Sequence, residues 1–260
     1  MRDLLVLCYH GVSASWPAHM AVTPEQLEAH IVSLRQRGYS GATFTEAVTG
    51  PREGRKVAIT FDDAFRSVYE LAFPVLSRLG VPGTVFVPTE LIGGDEPMSW
   101  PGIEEWVGGP YESELVGMSW EQVAELAAAG WEIGSHTRSH PWLTDLDDER
   151  LAAELEGSRS ELEHRLGRAC TSLAYPYGIV DERVEEAARA AGYLAAADLS
   201  WLPHASGTPL RWPREGIYVY DDLRKFRRKV SPFLRRVRSI PLFPLLYRLR
   251  SRLRSRLRSR

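Results

Sequence analysis

The chain has 260 residues, 44% of them hydrophobic and 25% charged, which is the balance of an ordinary globular protein. This length is compatible with a single α/β domain. No apolar run reaches the roughly 18 residues that a membrane-spanning helix needs, so no such helix is expected. The two cysteines, Cys8 and Cys170, lie in apolar runs and are expected to be buried free thiols.

The net charge of −2 hides a strong asymmetry along the chain. All 34 acidic residues precede Leu223, whereas 15 of the 32 lysines and arginines lie in residues 224–260. An acidic body with a basic C-terminal tail predicts an anionic partner for that tail.

The first part of the chain alternates strand and helix patterns. The apolar run Leu4–Tyr9 predicts the first strand. The capping box Thr23-Pro24-Glu25-Gln26 starts a helix, and residues 43–48 are expected to be a short connection. Val57–Phe61 predicts the second strand, and the helix after it should break at Pro74.

The second part continues this alternation after one unusual segment. Residues 89–118 are rich in Gly, Pro, Trp and acids without a clear period, which is typical of a functional loop or of a mobile surface insertion. Trp100 and Trp106 in this segment could stack on sugar rings or simply be buried. The alternation predicts a parallel α/β fold, with further strands at Gly83–Pro88, Trp131–Ser135, Thr171–Tyr175, Tyr193–Ala197 and Gly216–Tyr220.

Two adjacent carboxylates follow the second strand, in Thr60-Phe61-Asp62-Asp63-Ala64. Neighbours on an extended strand point to opposite faces, so the pair does not suit a single core. At a strand end both side chains can reach one site, where one holds a metal and the other moves a proton. The alternative is a helix N-cap followed by an acid in the first turn.

His136 and His140 also follow an apolar segment, Trp131–Ser135. Two histidines at i and i+4 can share one face of a helical turn and bind one metal ion. A single histidine is usually structural, but this pair behind one strand and an acid pair behind another favour a metal site.

The acid pair, the histidine pair and two further stretches occur in the same order as the motifs of the polysaccharide deacetylase family (carbohydrate esterase family four), which this chain resembles. Ala64 stands where that family more often has Gly. The resemblance extends over roughly residues 4–230 and implies a distorted, incomplete (β/α) barrel of about seven parallel strands. It predicts a catalytic domain over residues 1–230 that carries an insertion at 89–118. The matched stretches are Tyr9-His10-Gly11-Val12, Thr60-Phe61-Asp62-Asp63, His136 with His140, and Ala174-Tyr175-Pro176-Tyr177-Gly178.

The resemblance also implies a role for each matched residue of the centre. Asp63, His136 and His140 would bind a divalent metal, which is expected to be Zn, although Co, Ni or Mn also suit these ligands. Asp62 would be the general base, and the backbone N–H of Tyr177 would stabilise the oxyanion.

The implied reaction is metal-dependent hydrolysis of acetyl groups, N-acetyl before O-acetyl, on a polysaccharide or glycoconjugate. Substrate contacts are expected from His10, Tyr175, Pro176 and Trp201. Two alternatives stay open. One is an amidohydrolase of the same fold, such as a deformylase acting on a lipid-linked sugar, and the other is a non-catalytic glycan-binding relative.

The chain departs from the family pattern in two places. Leu173 and Ala174 occupy the region where an Arg often precedes the third motif, and we hypothesise that Arg214 of Trp212-Pro213-Arg214 pairs with Asp62 instead. The late Leu-x-His motif that supplies a general acid is not found. His204 is the one late histidine, so the proton donor to the leaving group is unassigned.

Residues 231–260 form a basic tail in which Arg-Leu-Arg-Ser occurs three times between Arg248 and Ser259. A leucine recurs every four residues, which favours an amphipathic helix on anionic lipid, and the alternative is a disordered basic tail. Few aromatic residues accompany the arginines, so nucleic acid is not expected. Because the first apolar run is short and follows Asp3, no signal peptide is predicted, and the expected location is cytoplasmic or peripheral at the cytoplasmic membrane.

Overall fold

The computed structural model describes residues 3–199 and 208–238, with the side chains of 237 and 238 left aside. Nine short strands make one sheet, and every strand pair in it is parallel. The strands are β1 Asp3–Tyr9, β2 Tyr39–Ala42, β3 Arg55–Phe61, β4 Gly83–Val87, β5 Glu132–Ser135, β6 Ser172–Ala174, β7 Ala195–Asp198, β8 Trp212–Pro213 and β9 Glu215–Gly216.

The sheet is nearly closed into a barrel. Eight strands follow the order β8-β7-β6-β5-β4-β3-β1-β9, and β2 pairs with β3 beside this path. Only Arg214 separates β8 from β9 in sequence, yet β8 pairs with β7 and β9 pairs with β1. The last segment therefore lies across the one unsealed seam. The predicted incomplete α/β barrel is confirmed, with eight strands on the path.

Helices surround the sheet, and the capping box at Thr23 starts the first of them as predicted. Before Pro74 the chain forms a π-helical segment, Val68–Ala72, so the expected irregularity falls one turn earlier than the proline. Within the described ranges, no helix combines the length and the apolarity needed to cross a membrane. The α-helices are α1 Pro24–Gln36, α2 Phe44–Thr49, α3 Phe73–Arg78, α4 Trp120–Ala128, α5 Asp148–Leu166, α6 Glu182–Ala190, α7 Leu223–Lys229 and α8 Pro232–Arg238.

The core has two layers because strand side chains alternate. On β1, Leu5, Leu7 and Tyr9 belong to the large cluster between sheet and helices. Val6 belongs to a second, smaller cluster inside the barrel. Alanines dominate the inner cluster, so the barrel interior is narrow and filled by small side chains; its members on the other strands include Ala58, Phe86, Ala174, Ala195 and Ala197.

Residues 43–48 are not a plain connection, which corrects the sequence expectation. They belong largely to α2, whose Phe44, Ala47 and Val48 are buried in the inner cluster. The Thr45 N–H donates to the Glu132 carboxylate at the start of β5 (2.8 Å). This helix thereby closes the amino end of the barrel, and its six residues are too few for a periodic signal to reveal it.

The last predicted strand, Gly216–Tyr220, is much shorter than expected. Strand β9 spans Glu215–Gly216, and the Ile217 N–H adds one further hydrogen bond to the Cys8 carbonyl at 2.8 Å. The chain then turns, because the Asp221 carboxylate accepts the Tyr218 N–H at 3.0 Å. An apolar run cannot reveal this side-chain-capped turn.

Residues 89–118 are ordered and pack on the barrel. Two short 3₁₀ helices, Glu104–Trp106 and Glu112–Leu115, lie within the segment. Trp100 is buried, and Trp106 packs edge-on against Trp16 with ring centroids 6.0 Å apart. Part of the segment is therefore buried against the barrel.

Gly134 of β5 is a strict packing constraint on the inner layer. A Cβ at this position would lie 2.6 Å from ring atoms of Phe86 and from Ser172 Oγ. We expect Gly134→Ala to lower the free energy of unfolding by about 1–3 kcal/mol, measured by urea denaturation. Gly94→Ala is the matched control, because its Cβ would meet only one atom, at 3.9 Å. Equal losses in the two variants would contradict the packing argument.

Candidate active site

The carboxyl ends of three strands meet at one site. His10 follows β1, Asp62 and Asp63 follow β3, and His136 follows β5. In a barrel of parallel strands all carboxyl ends open on the same face, so residues far apart in sequence converge there. The two aspartates are only 3% and 2% exposed, so the site lies below the surface.

The acid pair enters the site through a left-handed turn of the backbone. The Asp62 N–H continues the β1–β3 pairing by donating to the Tyr9 carbonyl at 3.0 Å. The next residues have positive φ, 70° at Asp63 and 52° at Ala64, a conformation in which glycine is favoured. The turn breaks the alternation of the strand, so both carboxylates reach one site. The helical segment that follows starts at Arg66, so neither aspartate is at its N-cap and the N-cap interpretation is wrong.

His136 and His140 do not share a helical turn, which corrects the prediction made from their spacing. Residues 136–140 form an irregular loop in which Thr137 and His140 have φ values of 67° and 60°. These left-handed residues coil the loop until both imidazoles face Asp63, with their ring centroids 4.8 Å apart.

Helix α5 fixes this loop. The Glu154 carboxylate accepts hydrogen bonds from the N–H groups of Arg138 and Ser139 at 2.8 and 3.0 Å. The Thr137 hydroxyl accepts one from the His140 N–H at 3.1 Å. These bonds satisfy backbone groups that lack a regular helix or strand, so the loop is held without one.

The orientation of His136 leaves a lone pair facing Asp63. Its Nδ1 lies 2.7 Å from the Ala174 carbonyl oxygen, which can only accept, so Nδ1 carries the proton. In the neutral ring Nε2 is then an acceptor, and it lies 3.3 Å from Asp63 Oδ1. His140 Nε2 lies 3.4 Å from the same oxygen.

This arrangement fits a divalent cation. Asp63, His136 and His140 are all buried, and their ligand atoms lie within 4.8 Å of one another. Asp63 Oδ1 makes no hydrogen bond within the described part of the chain. A buried, unsatisfied acceptor that faces imidazole nitrogens is costly unless a cation neutralises it. One carboxylate and two imidazoles are donors that suit Zn and related ions.

The protonation preferences of the three residues agree with this interpretation. Burial raises the pKa of Asp63, but the contact with His136 and the charge of His140 outweigh burial and lower it. Burial opposes a charge on His136, yet the two carboxylates raise its pKa above the usual value. Burial and the neighbouring His136 lower the pKa of His140 to about 4. Asp63 is thus held as a carboxylate that favours positive charge beside it, and His140 is held neutral, which is the form that binds a metal ion.

Arg214 lies against Asp62, where we hypothesised it. Its Nη1 and Nη2 donate to the two carboxylate oxygens at 2.6 and 2.7 Å, and Nη1 also donates to Thr60 Oγ1 at 3.0 Å. The Arg214 side chain is fully buried. Burial alone would raise the pKa of Asp62, but the Arg214 charge outweighs it and holds the pKa well below the usual range.

Cys8 is a site residue that the sequence reasoning missed. It is a buried free thiol as predicted, and its Sγ also donates to Asp62 Oδ2 at 3.4 Å. Alternation along β1 puts Cys8 and His10 on one face, and this signal could have revealed it. Burial raises the pKa of the thiol well above its usual value, so Cys8 remains a neutral donor.

The site opens into a cavity of about 150 Å³. Tyr175 and Pro176 are buried outside its lining, and the Tyr175 hydroxyl donates to the Leu210 carbonyl at 2.8 Å, so their expected substrate contact stays a prediction. Trp201 and His204 lie outside the described residues. The lining consists of His10, His19, Met20, Asp62, Asp63, Trp100, Pro101, Gly102, Ile103, His136, His140, Tyr177, Gly178 and Leu199.

Tyr177 and Trp100 contact His140 from two other segments. Tyr177 has a left-handed φ of 59°, and its ring packs edge-on against His140 with centroids 4.7 Å apart. The Trp100 ring lies 4.4 Å from the same imidazole. His140 therefore lies between two aromatic rings, and residues 89–118 contribute a wall of the cavity.

These features define an incomplete α/β barrel with a candidate metal centre at the carboxyl ends of its strands. The family model for polysaccharide deacetylase matches residues 49–196, more than half of the chain. The chain therefore belongs to the polysaccharide deacetylase family.

Two curated relatives extend this comparison. The putative polysaccharide deacetylase YxkH of Bacillus subtilis is 28% identical over 195 residues, which cover 73% of this chain and 62% of that protein. The poly-β-1,6-N-acetyl-D-glucosamine N-deacetylase of Staphylococcus epidermidis is 27% identical over 175 residues, which cover 62% of this chain and 55% of that protein. The chain thus spans less than two thirds of either relative.

Solved structures agree with the barrel. IcaB from Ammonifex degensii superposes with a TM-score of 0.72 at 26% identity and covers 88% of this chain and 97% of that one. The Streptococcus pyogenes deacetylase PplD, solved with acetate, gives the same TM-score at 20% identity over 88% and 98%. The second likeness is one of fold alone.

The buried Asp62–Arg214 pair can be tested through stability. Arg214→Met leaves a carboxylate without its counter-charge, so we expect a loss of about 3–5 kcal/mol in the free energy of unfolding. Because the pKa of Asp62 is below its usual 3.8, the pair stabilises the fold fully above that pH and less as the pH falls below it. Urea denaturation at pH 7 and pH 3 measures both effects.

The double variant Asp62→Asn/Arg214→Met is the control for this experiment. It removes the stranded charge as well, so it should recover part of the stability lost in Arg214→Met. If the free energy of unfolding of Arg214→Met is within about 0.5 kcal/mol of the wild-type value, the argument for a buried ion pair is contradicted.

Proposed function

We propose that this protein removes acetyl groups from a polysaccharide or glycoconjugate, N-acetyl before O-acetyl, with a divalent metal as cofactor. The observation that carries the proposal is that two adjacent aspartates have different partners. Asp63 faces two histidines with an unsatisfied oxygen, whereas Asp62 is paired with Arg214 at the same cavity. Membership in the polysaccharide deacetylase family supports the acetylated glycan as the substrate class.

Asp63, His136 and His140 would hold the metal, and Zn is the ion that this donor set suits best. A divalent ion at such a site polarises the acyl carbonyl and makes water more acidic. Asp62 would accept the proton of the attacking water at a carboxylate oxygen. Arg214 and Cys8 orient that carboxylate and keep it ionised, since both donate to it.

The remaining roles belong to the cavity wall. The backbone N–H of Tyr177 would donate to the oxyanion, in a segment whose left-handed turn brings Tyr177 to the cavity. His10 would contact the substrate, because its buried Nδ1 has no hydrogen-bond partner among the described residues. Burial lowers the pKa of His10, so its resting ring is neutral and can donate or accept a hydrogen bond.

Acetate release tests the proposal. The panel contains β-1,6- and β-1,4-linked N-acetylglucosamine oligomers, acetylated xylan and a formylated sugar, and NMR follows product formation with and without chelator. Chelator-sensitive acetate release is the expected result. Release of formate instead would favour the amidohydrolase alternative, and release from none of them with glycan binding intact would favour a binding protein.

The adjacent aspartates provide a matched pair of variants. Asp62→Asn should retain the metal, measured by mass spectrometry of the purified protein, and lose at least about 100-fold in turnover. Asp63→Asn should lose both the metal and the turnover. Loss of metal in Asp62→Asn, with retention in Asp63→Asn, would mean that the two roles are reversed.

We further propose that residues 1–230 are the catalytic unit and that residues 231–260 bind an anionic membrane surface from the cytoplasmic side. The start of this tail is structured. Arg235 donates to both carboxylate oxygens of Asp3 at 2.6 Å and to the Leu4 carbonyl at 3.0 Å. Phe233 on the same helix is 72% exposed. An exposed aromatic side chain that precedes a run of arginines in the sequence suits anionic lipid.

Sedimentation with vesicles tests the tail. The full chain should sediment with vesicles rich in phosphatidylserine, and a chain that ends at Arg238 should not, because it keeps α8 but loses the Arg-Leu-Arg-Ser repeats. Ending after α8 preserves the Arg235–Asp3 pair, so a folding defect does not confuse the result. Binding should weaken as salt rises. Equal sedimentation of both chains would refute membrane attachment by the repeats.

A further inference from the structure

An exposed tryptophan lies next to the proposed active site. Trp142 is 39% exposed, and its indole stacks on the Tyr177 ring with centroids 4.7 Å apart and an interplanar angle of 26°. Tyr177 in turn lines the cavity and contacts His140. A continuous row of aromatic rings therefore leads from the candidate metal centre to the surface.

The backbone that carries Trp142 is firmly held. The next residue, Leu143, is 1% exposed and begins a 3₁₀ helix, Leu143–Asp145. Arg183 of α6 donates through Nη2 to the carbonyls of Leu143, Thr144 and Leu146 at 3.4, 3.3 and 2.8 Å. Trp142 is therefore exposed on a segment whose backbone is fixed by hydrogen bonds to α6.

A single exposed apolar side chain needs no explanation by itself. Trp142 is different because its ring is continuous with Tyr177 and, through Tyr177, with the cavity. An indole offers a flat apolar face with a polar N–H at its edge, so it suits ligands that are apolar on one face and polar around the rim. A pyranose ring has this character, with C–H groups on its faces and hydroxyls at its edge. Because the row of rings is continuous with the cavity, the neighbouring sugar of a bound chain is the occupant that the geometry favours.

We propose that Trp142, backed by Tyr177, is the platform of a second sugar subsite, which binds the residue next to the one whose acetyl group reacts. The protein would then act more efficiently on a chain of at least two sugars than on a single one. This inference rests on the proposed function for the identity of the ligand. It adds Trp142 as a residue that determines substrate length and takes no part in the proposed hydrolysis.

Binding tests the platform without using activity. In an Asp62→Asn/Arg214→Met background, which lacks the proposed base and leaves no unpaired buried charge, titration calorimetry measures binding of β-1,6- and β-1,4-linked N-acetylglucosamine pentamers. Trp142→Ala should weaken binding of the preferred pentamer about tenfold, the size of effect seen when a stacking anchor is truncated. Trp142→Phe should restore most of the affinity, since an aromatic face is kept. Phe233→Ala, another exposed aromatic at the opposite end of the barrel, is the matched control and should change nothing.

Kinetics separates the subsite from a general structural role. Trp142→Ala should lower kcat/KM for the pentamer about tenfold, mainly through KM, and leave monomeric N-acetylglucosamine unaffected. An equal loss on monomer and pentamer, or no loss on either, would overturn the proposal. So would a change in oligomeric state of Trp142→Ala by analytical ultracentrifugation, which would assign this surface to a second copy of the chain.

Failure of the subsite can be told from failure of the proposed function. Pentamer binding that depends on Trp142, without acetate release from any substrate by the wild-type protein, would keep the platform and reject the hydrolase. Acetate release with Trp142→Ala indistinguishable from wild type would keep the hydrolase and reject the platform. Absence of both release and pentamer binding would reject the two together.

Discussion

The buried pair of Asp62 and Arg214 joins the barrel to its chemistry. Arg214 lies at the seam between β8 and β9, and its fully buried guanidinium needs a counter-charge there. Asp62, at the end of β3, supplies it through two short hydrogen bonds. A charge of either sign alone in this place would be severely destabilising. Strands β8 and β9 can therefore take their places only because the Asp62 carboxylate neutralises Arg214. The same carboxylate faces the cavity.

This pairing also distinguishes two neighbouring aspartates that are alike in sequence. Asp62 has both oxygens occupied by the guanidinium, with further donation from Cys8. Asp63 has an oxygen that faces only imidazole nitrogens, and the fixed tautomer of His136 presents a lone pair to it. Different surroundings give chemically identical groups different tasks, which is the usual way in which a protein assigns an acid, a base and a ligand.

Much of this arrangement could be predicted from the sequence. The alternation of strands and helices indicated a parallel α/β fold, and the resemblance to polysaccharide deacetylases indicated the incomplete barrel. The polar residues after β1, β3 and β5 indicated which end carries the site. The predicted helical turn at His136 and His140 was wrong because spacing alone does not reveal positive φ at Thr137 and His140. Helix α2 was missed because six residues carry no usable period.

The wall of the cavity could not be predicted for a different reason. Trp100 and Trp142 come from segments without periodicity, and their positions depend on contacts with residues distant in sequence, such as Arg183 for the loop after Trp142. The sequence indicated Trp100 and Trp106 as either sugar contacts or buried residues, and it gave no signal for Trp142. Trp100 is 7% exposed and Trp142 is 39% exposed, so only the latter offers a face at the surface.

The two ends of the barrel differ in a way that bears on the substrate. Helix α2 closes the amino end, and Arg235 of α8 binds Asp3 and Leu4 at that same end. The cavity lies at the other end of β1, about 20 Å away for a strand of seven residues. Helix α8 and the cavity therefore lie at opposite ends of the barrel. The aromatic row of Tyr177 and Trp142 leads outward at the end away from α8, so a polymer can reach the cavity across this row without meeting that helix.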